Sequence, residues 1–405
     1  MISSENSARQ KKVLKLCYYS SDPPLVKNAY ANHGVARNFI DILREFDPVV
    51  LTSKSRRYVN MQEVRNICGD LPLWIHPSLS GYGFRKIFPT LTGIIDAIIF
   101  AFWMPILAWR LSKAKVDRIF IHCNADAWFL FHIWLIQKLG IPVDIYFTDD
   151  IEDSATRGLY RKFRFIIHPL LKNVLGRSRK NFGISQGFVE SLIDRYGVAA
   201  EWLPLPMAHF PLRSEKSKPS PTGERFVVFV GAINRLYESS LRELYDEICR
   251  YNSENVDQKL KLKLISYGGA FQFRDSLPNQ DSVVAYEKLP KSDLDSHLST
   301  AYACFLPYSF LPSEKLMVST SFSCKILEYF QCQRPIIVYG PSYASTPRYF
   351  KELGLPLCAT SLQELRVALL DVERYDDDQL MIRYYKAWRR FHSPEAIQSV
   401  LLPNS

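Results

Sequence analysis

Short apolar runs alternate with longer amphipathic ones along both halves of the chain, as βα units around parallel sheets require. In the first half, residues 13–20, 48–53, 117–124, 142–149 and 181–185 read as strands. Helical patterns lie between them. Residues 35–46, for example, carry apolar side chains at 35, 36, 39, 40, 42, 43 and 46, one face of a helix. Residues 208–223 break the rhythm with Pro211, Pro219, Pro221 and four charged residues, which reads as a linker. A second series of strands follows at 225–230, 260–266, 282–287, 303–307, 335–339 and 355–359, and the last helical pattern, 376–391, has no strand after it.

This pattern predicts an α/β protein of two Rossmann-like, doubly wound domains facing a cleft. The first spans residues 1–207, the linker 208–223, the second 224–375, and a terminal segment takes 376–405. A chain of 405 residues agrees, because single cores stop growing beyond about 250–300 residues.

The composition, 47% hydrophobic and 23% charged, excludes a disordered chain. Eight scattered cysteines without a C-x-x-C pair fit buried thiols in a reducing compartment better than a disulfide framework or a zinc site. The opening residues Met1–Asn6 are polar and lack the apolar stretch of a signal peptide, so a cytoplasmic protein is expected. No metal-ligand cluster is legible, and no metal is expected.

Charge adds a partner. The net +10 is carried by residues 1–200, with 27 Lys+Arg against 17 Asp+Glu, whereas residues 201–405 hold 24 of each. The first half therefore calls for an anionic partner. Nucleic acid is the poorer fit, since no helix-turn-helix, zinc-finger or RNP-type motif occurs. An acidic membrane surface fits better. Residues 88–109 form an apolar run long enough to span a bilayer, but Asp96 sits inside it and Pro105 interrupts it, which favours a buried or membrane-surface helix. Arg110, Lys113, Lys115 and Arg118 follow it, as at the rim of a surface-bound element. Residues 156–181 hold eight basic and no acidic residues among apolar ones, which suits anionic headgroups and equally a core-facing helix with a basic outer face.

Candidate chemistry gathers at strand ends. Ser323-Cys324-Lys325-Ile326-Leu327-Glu328 reads as a helix start with a serine cap, and Lys325 and Glu328 share a face. Free N–H groups and the dipole of a helix N-terminus favour phosphate. A lysine for phosphate and a carboxylate for ribose hydroxyls is what a nucleotide-sugar site requires, although a capped surface helix with an internal ion pair has the same spacing. Three further segments end strands: Gly231-Ala232-Ile233-Asn234-Arg235, Ser266-Tyr267-Gly268-Gly269 and Leu306-Pro307-Tyr308. Open parallel sheets bind ligands at such carboxyl ends.

Taken in this order, the segments make residues 225–360 resemble the nucleotide-binding domain of GT-B glycosyltransferases of the family 4 type. The resemblance implies a GT-B fold, a nucleotide diphosphate sugar as donor, no further cofactor, and transfer with retention to a glycan or lipid-linked acceptor, as in polysaccharide biosynthesis. It implies that Glu328 holds the ribose and that Ser323, Cys324 and Lys325 hold the diphosphate. Gly231, Asn234 and Gly268 would border the donor, Arg235 and Lys325 would stabilise the leaving group, and segment 376–405 would pack back on the first domain.

Two departures stand out. Thr320 occupies the position of a second glutamate eight residues before Glu328, with Glu314 nearby at a different spacing. Leu236-Tyr237-Glu238 also follow Arg235 where a lysine is usual. The first half resembles the acceptor domain more loosely. There Gly34 would lie in the loop 28–34, and His122, Asp149 and Asp150 would face the cleft, Asp149 as the group that orders the acceptor hydroxyl or takes its proton. A GT-B epimerase, and a silent glycosyltransferase-like protein that binds a membrane or partner, are the alternative expectations.

Overall fold

Val, Ile, Leu, Phe and Tyr crowd the strands because helices cover both faces of each sheet. The computed structural model describes residues 14–402 apart from 21, 25–30, 54–59, 79–88, 125–126, 153–162, 212–223, 267, 288 and 376, and every count below concerns those residues. The first sheet contains β1 (Leu16–Ser20), β2 (Val49–Ser53), β3 (Leu73–His76), β4 (Arg118–Cys123), β5 (Val143–Phe147), β6 (Lys180–Gly183) and β7 (Glu201–Trp202). Its order is β3-β2-β1-β4-β5-β6-β7, all parallel. The second contains β8 (Arg225–Val230), β9 (Leu260–Ile265), β10 (Val283–Tyr286), β11 (Ala303–Pro307), β12 (Ile336–Tyr339) and β13 (Cys358–Ala359), in the order β10-β9-β8-β11-β12-β13, also parallel. Each sheet reverses its winding once, between β1 and β4 and between β8 and β11. Those reversals open a crevice at the carboxyl edge.

The helices of the first half are α1 (Ala31–Leu43), α2 (Met61–Cys68), α3 (Pro89–Lys113), α4 (Phe129–Gln137), α5 (Arg164–Arg177) and α6 (Gln186–Tyr196). Those of the second are α7 (Glu238–Glu254), α8 (Ala270–Asp275), α9 (Lys291–Ser299), α10 (Lys315–Thr320), α11 (Lys325–Cys332), α12 (Ser345–Glu352) and α13 (Leu362–Asp371). The chain ends in α14 (Asp377–Ala387), a π-helical turn at Trp388–His392 and α15 (Pro394–Leu401). The expected helix at 376–391 thus changes pitch at Trp388.

One core runs through both halves and joins Tyr18, Phe39 and Tyr146 to Val228, Leu306 and Ile326. The other face of the first sheet is closed by α3, α4 and α5 through Phe100, Leu130 and Leu171, and that of the second by α7 and α13 through Leu244 and Leu365. At the seam between the halves, Ser185 Oγ donates to the Thr320 carbonyl (2.7 Å) and meets Ser345 Oγ (3.0 Å). Gly187 has no space for a side chain, because a Cβ would stand 2.0 Å from the Ser319 carbonyl oxygen. The terminal helices bind both halves. Tyr384 stacks on Phe330 at 4.8 Å, while Gln398 donates to the Ile42 carbonyl at 2.9 Å. Between them His392 is buried against Tyr349 Oη and the Leu205 carbonyl, each 2.7 Å away, and burial lowers its pKa to about 4.

Candidate functional site

At the crevice of the second half, β8 ends in Gly231, whose φ of 138° disfavours other residues. Space is the stricter demand. A Cβ at Gly231 would stand 2.3 Å from Lys325 Cε and 2.6 Å from Nζ, so the glycine makes room for that lysine. The ammonium also lies 5.3 Å from the centre of the Tyr237 ring. Lys325 is therefore led from the first turn of α11 across the end of β8.

The sequence predicts Ser323 as the cap of α11, and the structure corrects this. The helix opens at Cys324, which is already helical (φ −61°, ψ −22°), and no side chain caps it. Ser323 is drawn away because its N–H donates to Tyr308 Oη (3.1 Å), itself 2.5 Å from Thr346 Oγ1. Ile326 N and Leu327 N turn back to the Ser323 and Cys324 carbonyls (3.2 and 3.3 Å), and no side chain caps the start of α11, where the helix dipole favours an anion. Glu328 follows one turn later. Burial raises its carboxyl above the ordinary range, while Lys291 and Lys325 work against that rise.

Arg235 is largely exposed but tethered, with Nη2 3.0 Å from Oε1 of the buried Glu314. The nearby carboxylate noted in the sequence thus lies against the proposed phosphate arginine. Thr320, in contrast, spends its hydroxyl on the Leu316 carbonyl (3.0 Å) and its own carbonyl on Ser185. Asn234 does not reach outward through its side-chain Oδ1, which accepts from Leu236 N (2.9 Å) and turns the chain into α7. Gly268 lines up beside it: Ile233 N approaches the Gly268 carbonyl at 3.5 Å, and the space around Gly268 Cα is open.

The crevice of the first half is acidic. Asp22 follows β1 and accepts from Asn124 Nδ2, just past β4. Asp149 follows β5, half-buried, and its carboxyl is pushed up to about 6 by burial, with the charges of Asp150 and Asp22 adding to the rise. Loss of solvent around the half-buried Cys324 thiol raises it to about 12, and the Asp149 charge adds to the rise, so the acidic crevice and the start of α11 face each other across the halves.

Three expectations for this half need correction. Asp150 is buried and gripped by Arg195, which also reaches Glu152 at 3.3 Å, so it braces the strand end instead of lining the cleft. His122 sits inside β4, 1% exposed, with Nδ1 3.1 Å from Tyr18 Oη and its ring 5.9 Å from Phe39 of α1, so it is buried in the core instead of exposed in the cleft. Gly34 lies in the first turn of α1, which begins at Ala31, and not in a loop, because the apolar face read from residue 35 extends the helix backwards. Residues 28–30 of that loop lie outside the described ones, as do 156–162 of the basic stretch.

Sequence reasoning marked the strand end at Tyr308 but missed its bond to Ser323, and missed Asp22 and the tether at Glu314. Asp22 falls just past a strand end, the one signal that could have marked it.

Among known proteins, no family model matches the chain, and no curated protein matches it in sequence. Solved structures do match over almost the full length. The apo form of the lipopolysaccharide outer core galactosyltransferase WaaB is 12% identical, with 96% of this chain and 99% of that one covered and a TM-score of 0.62. The α,α-trehalose 6-phosphate synthase of Burkholderia multivorans is 12% identical over 96% and 98% of the two chains, TM-score 0.60. Alr3699/HepE of Anabaena, in complex with UDP, is 12% identical over 96% and 98%, TM-score 0.57. The fold is GT-B, with two Rossmann-like parallel sheets and flanking helices.

Proposed function

We propose that the chain is a glycosyltransferase that moves a sugar from a nucleoside diphosphate sugar to a hydroxyl of a glycan or lipid-linked acceptor. One observation carries this reading. Lys325 reaches across the side-chain-free Gly231 from the uncapped start of α11, and Glu328 stands one turn further on. A diphosphate needs backbone N–H groups and cations, and vicinal ribose hydroxyls need a carboxylate that accepts two hydrogen bonds.

Transfer breaks the bond between the sugar's anomeric carbon and the diphosphate oxygen, and negative charge grows on that oxygen. Lys325, Arg235 and the N–H groups of α11 stabilise it, so the positive charge comes from the chain. The new bond forms to the acceptor oxygen, whose proton passes to Asp149. The family 4 pattern of the second half argues for retention of configuration. WaaB, named a galactosyltransferase, and HepE, solved with UDP, support a nucleotide sugar as donor.

The test begins with a thermal-shift panel of nucleotide sugars, since a donor that binds only the folded state raises its melting temperature. The donor found is then incubated with the parent and with Glu328→Ala, and released nucleoside diphosphate is measured. Glu328→Ala should weaken donor binding by about 1–3 kcal/mol. If no nucleotide sugar shifts the melting temperature, or one binds and is never turned over, the reading fails.

A further inference from the structure

Helix α3 buries one side firmly. Phe100, Leu107 and Leu111 enter the core, and the buried Asp96 accepts from Ser78 Oγ at 3.0 Å. Phe100 stacks on His132 at 4.1 Å, and Tyr19 Oη lies 3.0 Å from both His132 Nδ1 and His76 Nε2. The helix has the length and apolar character of a membrane span, but leaving the sheet would break these contacts.

Its other side is bare. Leu91, Ile94, Ile98, Phe102, Ile106 and Trp109 recur every three or four residues and are all exposed, Phe102 to 81%. At a rise of about 1.5 Å per residue the stripe runs for roughly 27 Å. Phe165 and Ile166 at the start of α5 are exposed as well. Trp128 stands between the two helices, filling the space beside Gly93 and meeting Phe163 at 6.1 Å.

The charge around this face has one sign. Lys113 lies over the ring of Trp109 at 5.2 Å, and Arg164, Lys172 and Arg177 are exposed along α5. Among the described residues, α3, α4 and α5 hold no exposed Asp or Glu. A second copy seated here would bring like charges together. An anionic bilayer offers apolar depth for the stripe and phosphate charge for the cations.

We propose that the outer face of α3, with the start of α5, docks on an anionic lipid bilayer, α3 lying in the interface plane. The full chain is sedimented with vesicles of phosphatidylcholine alone and of phosphatidylcholine with phosphatidylglycerol. Binding is expected to the anionic vesicles only, to weaken with salt, and to fall roughly tenfold or more in Phe102→Glu/Phe165→Glu, whose altered side chains are exposed. Brominated lipid should quench part of the tryptophan fluorescence, and Trp109→Phe, which keeps the face apolar, should remove that part. Three outcomes overturn the proposal: no binding or equal binding to both vesicles, binding unmoved by the double variant, or a parent dimer that the double variant turns into a monomer.

Discussion

At the winding reversal of the second sheet the chain gathers Gly231, Lys325 and Arg235; at that of the first it gathers Asp22, Asn124 and Asp149. The two sheets share one strand order for their first six strands, so topology sets where each crevice opens and says nothing of what it holds. Side chains decide that. The basic crevice pairs an uncapped helix start with two cations, the equipment for a polyanion. In the acidic crevice burial, with neighbouring carboxyls adding to it, raises Asp149 to about 6, which suits proton transfer near neutrality. The half with all the net positive charge owns the acidic crevice; the cations of α3 and α5 belong to helices on the opposite face of the sheet. Net charge of a half does not locate its site.

The strongest way to break this comparison is Asp149→Asn. A base at Asp149 should be worth about 10²–10⁴ in rate. The sign of the pH effect follows from the raised carboxyl: ionised above about 6, it accepts the proton, and below that the rate should fall as it protonates. A pH–rate profile of the parent should show that acid limb and the variant should lack it. A limb that survives in Asp149→Asn would send the proton elsewhere, to the departing phosphate oxygen. Lys325→Ala comes next, with turnover expected to drop about 10²–10³ because charge on the leaving group grows in the transition state. A Lys325→Ala enzyme with normal turnover would remove the basic crevice from the mechanism.

The basic crevice was the more legible of the two, for a physical reason. Its parts are local: a strand end, a glycine and a helix start can each be read from a few adjacent residues. The acidic crevice depends on pairs far apart in sequence, such as Asp22 with Asn124, 102 residues on. The tether of Arg235 by Glu314 also joins residues far apart in sequence, while the loss of Ser323 as a cap to Tyr308 reaches across only 15 residues but between two different elements. The fold follows the same rule. Central strands, covered on both faces, stand out as apolar runs, whereas β3 and β7 escape notice. Both are short edge strands, of four and two residues.

Smaller effects probe how the two crevices are held opposite each other. Ser185 Oγ accepts from Phe188 N at 3.0 Å, which caps α6, and donates to the Thr320 carbonyl across the seam. Ser185→Ala removes the cap and leaves a buried carbonyl without that donor. The loss should be about 1–3 kcal/mol in urea unfolding, with transfer changed far less than by Asp149→Asn. A variant as stable as the parent would mean that packing around Gly187 alone holds the seam.

The smallest effect belongs to Glu190, which receives both Nη atoms of Arg348 across the same seam, at 2.6 and 2.7 Å. The pair is exposed, its carboxylate side chain to 55%, so water and salt screen it. Exposed pairs contribute about 0.2–1 kcal/mol, and Glu190→Gln should cost no more than that. The arginine's hydrogen bonds hold the Glu190 carboxyl below its ordinary value of 4.5. The pair's contribution is therefore present above that value and is lost as pH falls through the lowered one. Parent and variant should differ slightly at neutral pH and low salt, and converge in acid or at high salt. A cost above that of Ser185→Ala would put the seam under surface charge instead of buried hydrogen bonds, and salt alone would then shift the two crevices against each other.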